Sequence, residues 1–109
     1  MFGNKMNAVE KAIRKNNAAA LIGLCQDRDK GVVMAAIKGL GSVGGDDASH
    51  YLVTRLQDPE PEMRIAVANA LGAVANKHTK AFLSAQMQKE KDETVKEALL
   101  QAMVKIKEY

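Results

Sequence analysis

Residues Asp58 to Ala75, DPEPEMRIAVANALGAVA, form a phrase that the chain uses three times. It occurs earlier from Asp27 as DRDKGVVMAAIKGLGSVG, and later, loosened, from Asp92 as DETVKEALLQAMVKI. Sliding Asp27–Gln57 onto Asp58–Gln88, a shift of 31 without a gap, makes seven of 31 positions identical. They are Asp27/Asp58, Ala35/Ala66, Leu40/Leu71, Gly41/Gly72, Val43/Val74, Leu52/Leu83 and Gln57/Gln88. Chance gives roughly two for an ordinary composition. Apolar size is also kept in phase at Val32/Met63, Met34/Ile65, Tyr51/Phe82 and Leu56/Met87. A unit of this period cannot bury its apolar face alone and must stack on its neighbours.

The third copy needs a shift of 32, which sets Val95 on Met63, Lys96 on Arg64, Ala98 on Ala66, Ala102 on Ala70, Met103 on Leu71 and Ile106 on Val74. Backwards from Asp27, Leu21 and Cys25 fall on Leu52 and Leu56, and Val9 falls on Leu40. The 109 residues therefore read as one domain. It has a degenerate repeat over 4–26, full repeats over 27–57 and 58–88, and a half repeat over 89–109.

Each full copy reads as two helices. In the central one Asp58 and Pro59 turn the chain, Glu60 stands at the N-cap, and Pro61 opens the helix where its missing N–H costs nothing. Asp29 and Asp92 hold the same cap position and are better caps than Glu. Met63, Ala66, Val67, Ala70, Leu71 and Val74 recur at helical spacing as a buried face. Gly44-Gly45 and Asn76 break the first helices. The second helices bury Tyr51, Leu52 and Leu56, then Phe82, Leu83 and Met87, with Leu21 and Cys25 in the N-terminal copy. Helices are expected over 4–14, 17–26, 30–43, 46–57, 61–75, 79–90 and 93–108. Two-residue alternation persists nowhere, so no strand is expected.

A turn Asp, an aliphatic–Arg pair, Ala, Ala-Leu-Gly and an aliphatic residue together resemble the short HEAT-like repeats of the phycobilin-lyase type. The matching residues are Asp58, Met63-Arg64, Ala66, Ala70-Leu71-Gly72 and Val74. The first copy has Val32-Val33 at the aliphatic–Arg position, and the third has Val104 where the family has Gly. The resemblance covers about Asp27 to Lys107. It implies an all-α, right-handed α-solenoid of about seven antiparallel helices, an armadillo-like fold. First helices would line the convex side and second helices the concave side. It implies much less about function, because a fold does not determine one and such repeats occur in scaffolds, lyases and metal enzymes.

Composition narrows the function classes. Apolar residues make up 47% and aromatics only 4%, so the core is Ala, Leu, Val, Ile and Met, which suits closely packed helices. A net charge of +3 and few aromatics lack the dense basic patch and stacking rings of a nucleic-acid binder. No segment reaches the ~18 apolar residues of a membrane span, and the first residues lack the apolar run of a signal peptide. Cys25 is the one cysteine, which excludes an internal disulfide and makes a cytoplasmic setting the expectation.

No residue reads as catalytic, and no cofactor is expected. Cys25 occupies the core slot of Leu56 and Met87. His50 and His78 lie outside the repeat register, and the His-Glu pairs of the metal enzymes that resemble this chain are missing, so no metal site is expected. Asp46-Asp47 stand in the first turn of a helix, where capping accounts for them. Arg64 is expected to reach a turn acid such as Asp27 or Asp58 in a neighbouring layer. Gly41 and Gly72 would cost ~1 kcal/mol each against Ala in an ordinary helix, so their recurrence points to a close helix approach.

What remains is surface. The second-helix positions that point away from the core are uncharged, where a solvated face would carry Lys and Glu. Ile22, Gln26, His50, Val53, Thr54, Gln57, Ala81, Ser84, Ala85 and Gln88 are the expected partner-binding residues, suited to a docked helix or peptide. Leu100 and Val104 replace the smaller Ala68 and Gly72 on the last helix, so self-association as a homodimer is expected there. The reading is a non-catalytic protein-interaction scaffold. The alternative, supplied by the resemblance alone, is an accessory or chaperone-like subunit of a tetrapyrrole (bilin) lyase-type system.

Overall fold

A computed structural model describes residues 2–107. Its helices are α1 (Phe2–Arg14), α2 (Ala18–Leu24), α3 (Lys30–Val43), α4 (Gly45–Thr54), α5 (Pro61–Val74), α6 (Lys80–Lys89) and α7 (Glu93–Lys105), with a 3₁₀ turn at Lys77–Thr79 before α6. No strand occurs among the described residues. The fold is an α-solenoid of stacked helix-pair layers: α1/α2, α3/α4, α5/α6, and α7.

Local chemistry sets the ends of the first helices. Asp29 accepts from the backbone N–H groups of Gly31 and Val32, and Asp92 from those of Thr94 and Val95. Glu60 makes no side-chain cap, and Pro61 opens α5 instead. The α3–α4 break falls on Gly44 and Gly45, at φ +66° and +88°, conformations that glycine adopts without a Cβ penalty. At the end of α5 it is Ala75 that turns left-handed, at φ 57°, one residue before the expected breaker Asn76.

The second helices are shorter than the periodicity predicts. Asn17 caps α2 rather than lying in it, and Arg55 closes α4 with an i→i−3 bond to the carbonyl of Leu52, 3.0 Å long. Gln26 and Gln57 therefore sit in turns, not on helices. Asp46 and Asp47 lie in the first turn of α4, but neither makes a side-chain cap bond; Asp46 instead accepts from Asn76 Nδ2 at 3.4 Å. At the other end of the chain α7 stops at Lys105, and residue 108 of the expected helix lies outside the described residues.

The core runs through the layers as one cluster. Leu21, Ile37, Leu40, Leu52, Leu71, Leu83, Leu99 and Ile106 are its large, fully buried members, with Cys25 among the buried residues. Val9 is buried at its Leu40-equivalent position. The first helices α3, α5 and α7 pack most extensively on one another, and their contact explains the glycines. A Cβ on Gly41 would stand 3.1 Å from Ala70 Cα, and one on Gly72 would stand 3.0 Å from Ala102 Cα. Only glycine admits backbone that close. The second helices pay for this approach with distance: α2 touches α4 lightly, and α4 and α6 meet less still.

The turns between layers share one device. The turn acid, Asp27, Asp58 or Glu90, accepts from the backbone N–H two residues on, at 2.8, 2.9 and 3.2 Å. Each also receives a cation, from Lys5, Arg55 or Arg64. Arg64 thus reaches a turn acid of the neighbouring layer, as expected, but the acid is Glu90 rather than Asp27 or Asp58. Its guanidinium holds the Glu90 carboxylate with two bonds of 2.9 Å, and reaches Asp58 only through that residue's carbonyl, at 2.7 Å. The reason is geometric: α5 points Arg64 forward to the following layer.

These contacts tie stability to pH. The Arg64 guanidinium holds the Glu90 carboxyl below its usual range, and the backbone N–H of Asp29, then Lys5, does the same for Asp27. A carboxyl depressed in the folded state stabilises it above the unfolded value, about 4–4.5, and that stability is lost as pH falls through the folded value. The melting temperature is therefore expected to fall as pH drops below about 4.5, and to fall less in Glu90→Gln. Melts that coincide at pH 6 and pH 3 would contradict this.

Candidate functional site

Three large apolar side chains are exposed among the described residues: Phe82, Leu100 and Val104. The first lies on the second-helix face and the other two on α7. Phe82 is a correction, since its alignment with Tyr51 placed it in the core, yet it is 54% exposed. On α6, Leu83 and Gln86 turn inward, which swings Phe82 outward. Tyr51 has what Phe82 lacks. Its hydroxyl accepts from Arg55 at 2.7 Å and from Gln26 of the preceding layer at 3.2 Å. In the next copy the Arg55 position is Gln86, which donates to Glu90 at 3.2 Å, and the ring has no hydroxyl to hold.

A cleft of about 260 Å³ opens beside Phe82, where α4 and α6 stand apart. Asp46, His50 and Val53 line it from α4; Asn76, His78, Thr79 and Phe82 line it from the turn and α6. Asn76 fixes the two sides together. Its side-chain Nδ2 donates to Ser49 Oγ at 3.2 Å and to Asp46, while its side-chain Oδ1 accepts from the His78 backbone N–H at 2.9 Å. Thr79 is buried and its hydroxyl donates to the backbone carbonyl of Asn76 at 2.7 Å, which seats the start of α6. The two histidines, unrelated in repeat phase, are thus brought to one cleft. Single-sequence periodicity could not show this, because it depends on the separation of two layers.

The other expected surface residues divide as follows. His50, Thr54, Ala81, Ser84, Ala85 and Gln88 are exposed on α4 and α6, and Val53 and Ile22 are half-buried. Gln26 and Gln57 are exposed in turns. Chemistry-bearing groups do not assemble into a reactive set. Burial pushes the Cys25 thiol up. Among the described residues no three His, Cys, Asp or Glu side chains converge to hold a metal. No helix among them is long and apolar enough to cross a membrane.

A second groove, about 550 Å³, runs between α3 and α5 on the first-helix face, lined by Met34, Ala35, Ser42, Ala66 and Ala73 among others. Its small residues are those that let the first helices approach, so stacking already accounts for them.

The helix-pair layers, their Gly–Ala contacts and the turn acids form a repeat geometry, and comparison with known families decides which one. A family model described as HEAT repeats matches residues 18–104. The chain belongs to the HEAT-repeat family. No curated protein matches it. HEAT repeats are generally protein-interaction scaffolds, and this HEAT-repeat chain carries its exposed aromatic on the face that its stacking leaves open.

Proposed function

We propose that this HEAT-repeat protein binds a helix or extended peptide of a protein partner, without catalysis, through its second-helix face. The observation that carries the reading is Phe82, half-exposed beside the cleft between α4 and α6. Exposed aromatics set in a water-excluding rim are the usual anchors of an interface. At about 260 Å³ the cleft falls below the roughly 300–1,000 Å³ of small-molecule sites, and matches an inserted side chain better than a tetrapyrrole. His50 and His78 supply donors and acceptors at its edge, and the other exposed positions of α4 and α6, Thr54, Ala81, Ser84, Ala85 and Gln88, carry no charge, so covering them costs less than covering charged side chains.

Affinity purification from the native cell, with mass spectrometry, supplies the partner. Val53→Glu with Ser84→Glu and Gln57→Lys is then expected to weaken its capture by ~30-fold or more, the scale of a lost hot spot, with helicity unchanged. Undiminished capture would move the binding surface elsewhere.

A further inference from the structure

We propose that α7 is a self-association surface, on which a second copy of this chain packs its own α7 antiparallel. No α7 residue lines the cleft beside Phe82. Ala68 and Gly72, on α5, are buried, and Gly72 lies directly against Ala102 of α7. Their counterparts on α7, 32 residues on, are Leu100 and Val104, which are 53% and 73% exposed. Lys96, the counterpart of Arg64, turns back to Glu93 of its own helix at 3.3 Å.

Val104 decides the kind of occupant. Stacking of one layer on the next brings an Ala Cα to 3.0 Å from where a Cβ on Gly72 would be. Valine at that position forbids this approach, so a layer stacked in the manner of α5 on α7 does not fit. Helices that meet through Leu and Val pack at the ordinary 8–10 Å separation instead.

Charge decides the direction. The exposed face of α7 is acidic toward its start, at Glu93 and Glu97, and basic at its last residue, Lys105, with the exposed Lys107 just beyond the helix end. A parallel pair would set acid on acid. An antiparallel pair with its two-fold axis level with residue 102, between the exposed Leu100 and Val104, sets Leu100 on the partner copy's valine and Glu97 on the partner copy's basic end. It also opposes the two helix dipoles. Such a contact is isologous and closes at two copies. Its apolar part is two side chains from each copy, so it belongs with the weak, concentration-dependent interfaces.

Sedimentation velocity of the intact chain, from about 10 µM to about 1 mM, is expected to show the mass rising toward that of a dimer, by mass action. Val104→Glu should hold the protein monomeric over that range with its circular dichroism and melt unchanged, since the residue is exposed. Glu97→Lys should weaken the dimer at least tenfold, and Glu97→Lys with Lys105→Glu and Lys107→Glu should restore it. A wild-type chain that stays monomeric to 1 mM overturns the proposal. So does a dimer that survives Val104→Glu, and a triple variant that stays as weak as Glu97→Lys would remove the antiparallel direction.

Discussion

Gly72→Val is expected to destabilise the fold by about 3 kcal/mol or more, at the upper end of overpacking penalties. The glycine faces backbone, not a pliable side chain: its missing Cβ would stand 3.0 Å from Ala102 Cα and 3.2 Å from its Cβ. Two further methyl carbons can be housed only by moving α7 off α5, which breaks the most extensive helix contact in the chain. The helix-propensity gain over glycine, under ~1 kcal/mol, does not offset this. For a domain of this size the melting temperature should drop by roughly 15 °C. Gly23→Ala is the control. Gly23 also lies within a helix, but a Cβ there meets nothing within 4 Å, so the propensity gain stands alone and the melt should rise by a few degrees. Equal shifts in both variants would mean that the glycine in α5 is not a packing device.

Arg64→Ala should cost about 2–3 kcal/mol, less than the 3–5 of a fully buried pair because the guanidinium is partly exposed. Its side chain is 16% exposed and that of Glu90 3%. Removing the guanidinium leaves a buried carboxylate with one amide, from Gln86, and one backbone N–H, from Asp92. Arg64→Lys should recover only part of the loss, because a lysine cannot reproduce the two-bond fork. A double-mutant cycle with Glu90→Gln should return a coupling of about 1–2 kcal/mol. Additive effects would show that the two side chains meet without stabilising the layers.

The repeated phrase made much of this architecture legible. Asp29 and Asp92 were readable as caps because a cap depends on three or four residues of local backbone. Gly41 and Gly72 were readable as close approaches because their shared phase outweighs a propensity cost. The same phase comparison marked Leu100 and Val104 as out of place. What stayed hidden depends on how far layers stand apart. Arg64 could be assigned a turn acid but not Glu90, since the choice between its own layer and the following one is a matter of side-chain reach. Phe82 aligned with Tyr51 and so was read as core, although the hydroxyl and Arg55 that hold Tyr51 have no equivalent around it. His50 and His78 looked unrelated until α4 and α6 were set side by side across a gap. Gln26 and Gln57 were placed on helices because short second helices end in 3₁₀ turns that carry the apolar pattern a few residues further.

The first-helix layer does the stacking in this account, and the second-helix layer is left open for a partner. Chemical-shift perturbation on the labelled chain, with the purified partner added, tests that division directly. Perturbed amides are expected around His50, Val53, His78, Phe82 and Ala85, with those of Met34, Lys38, Asn69 and Ala73 unmoved. Perturbation confined to the groove between α3 and α5 would contradict it.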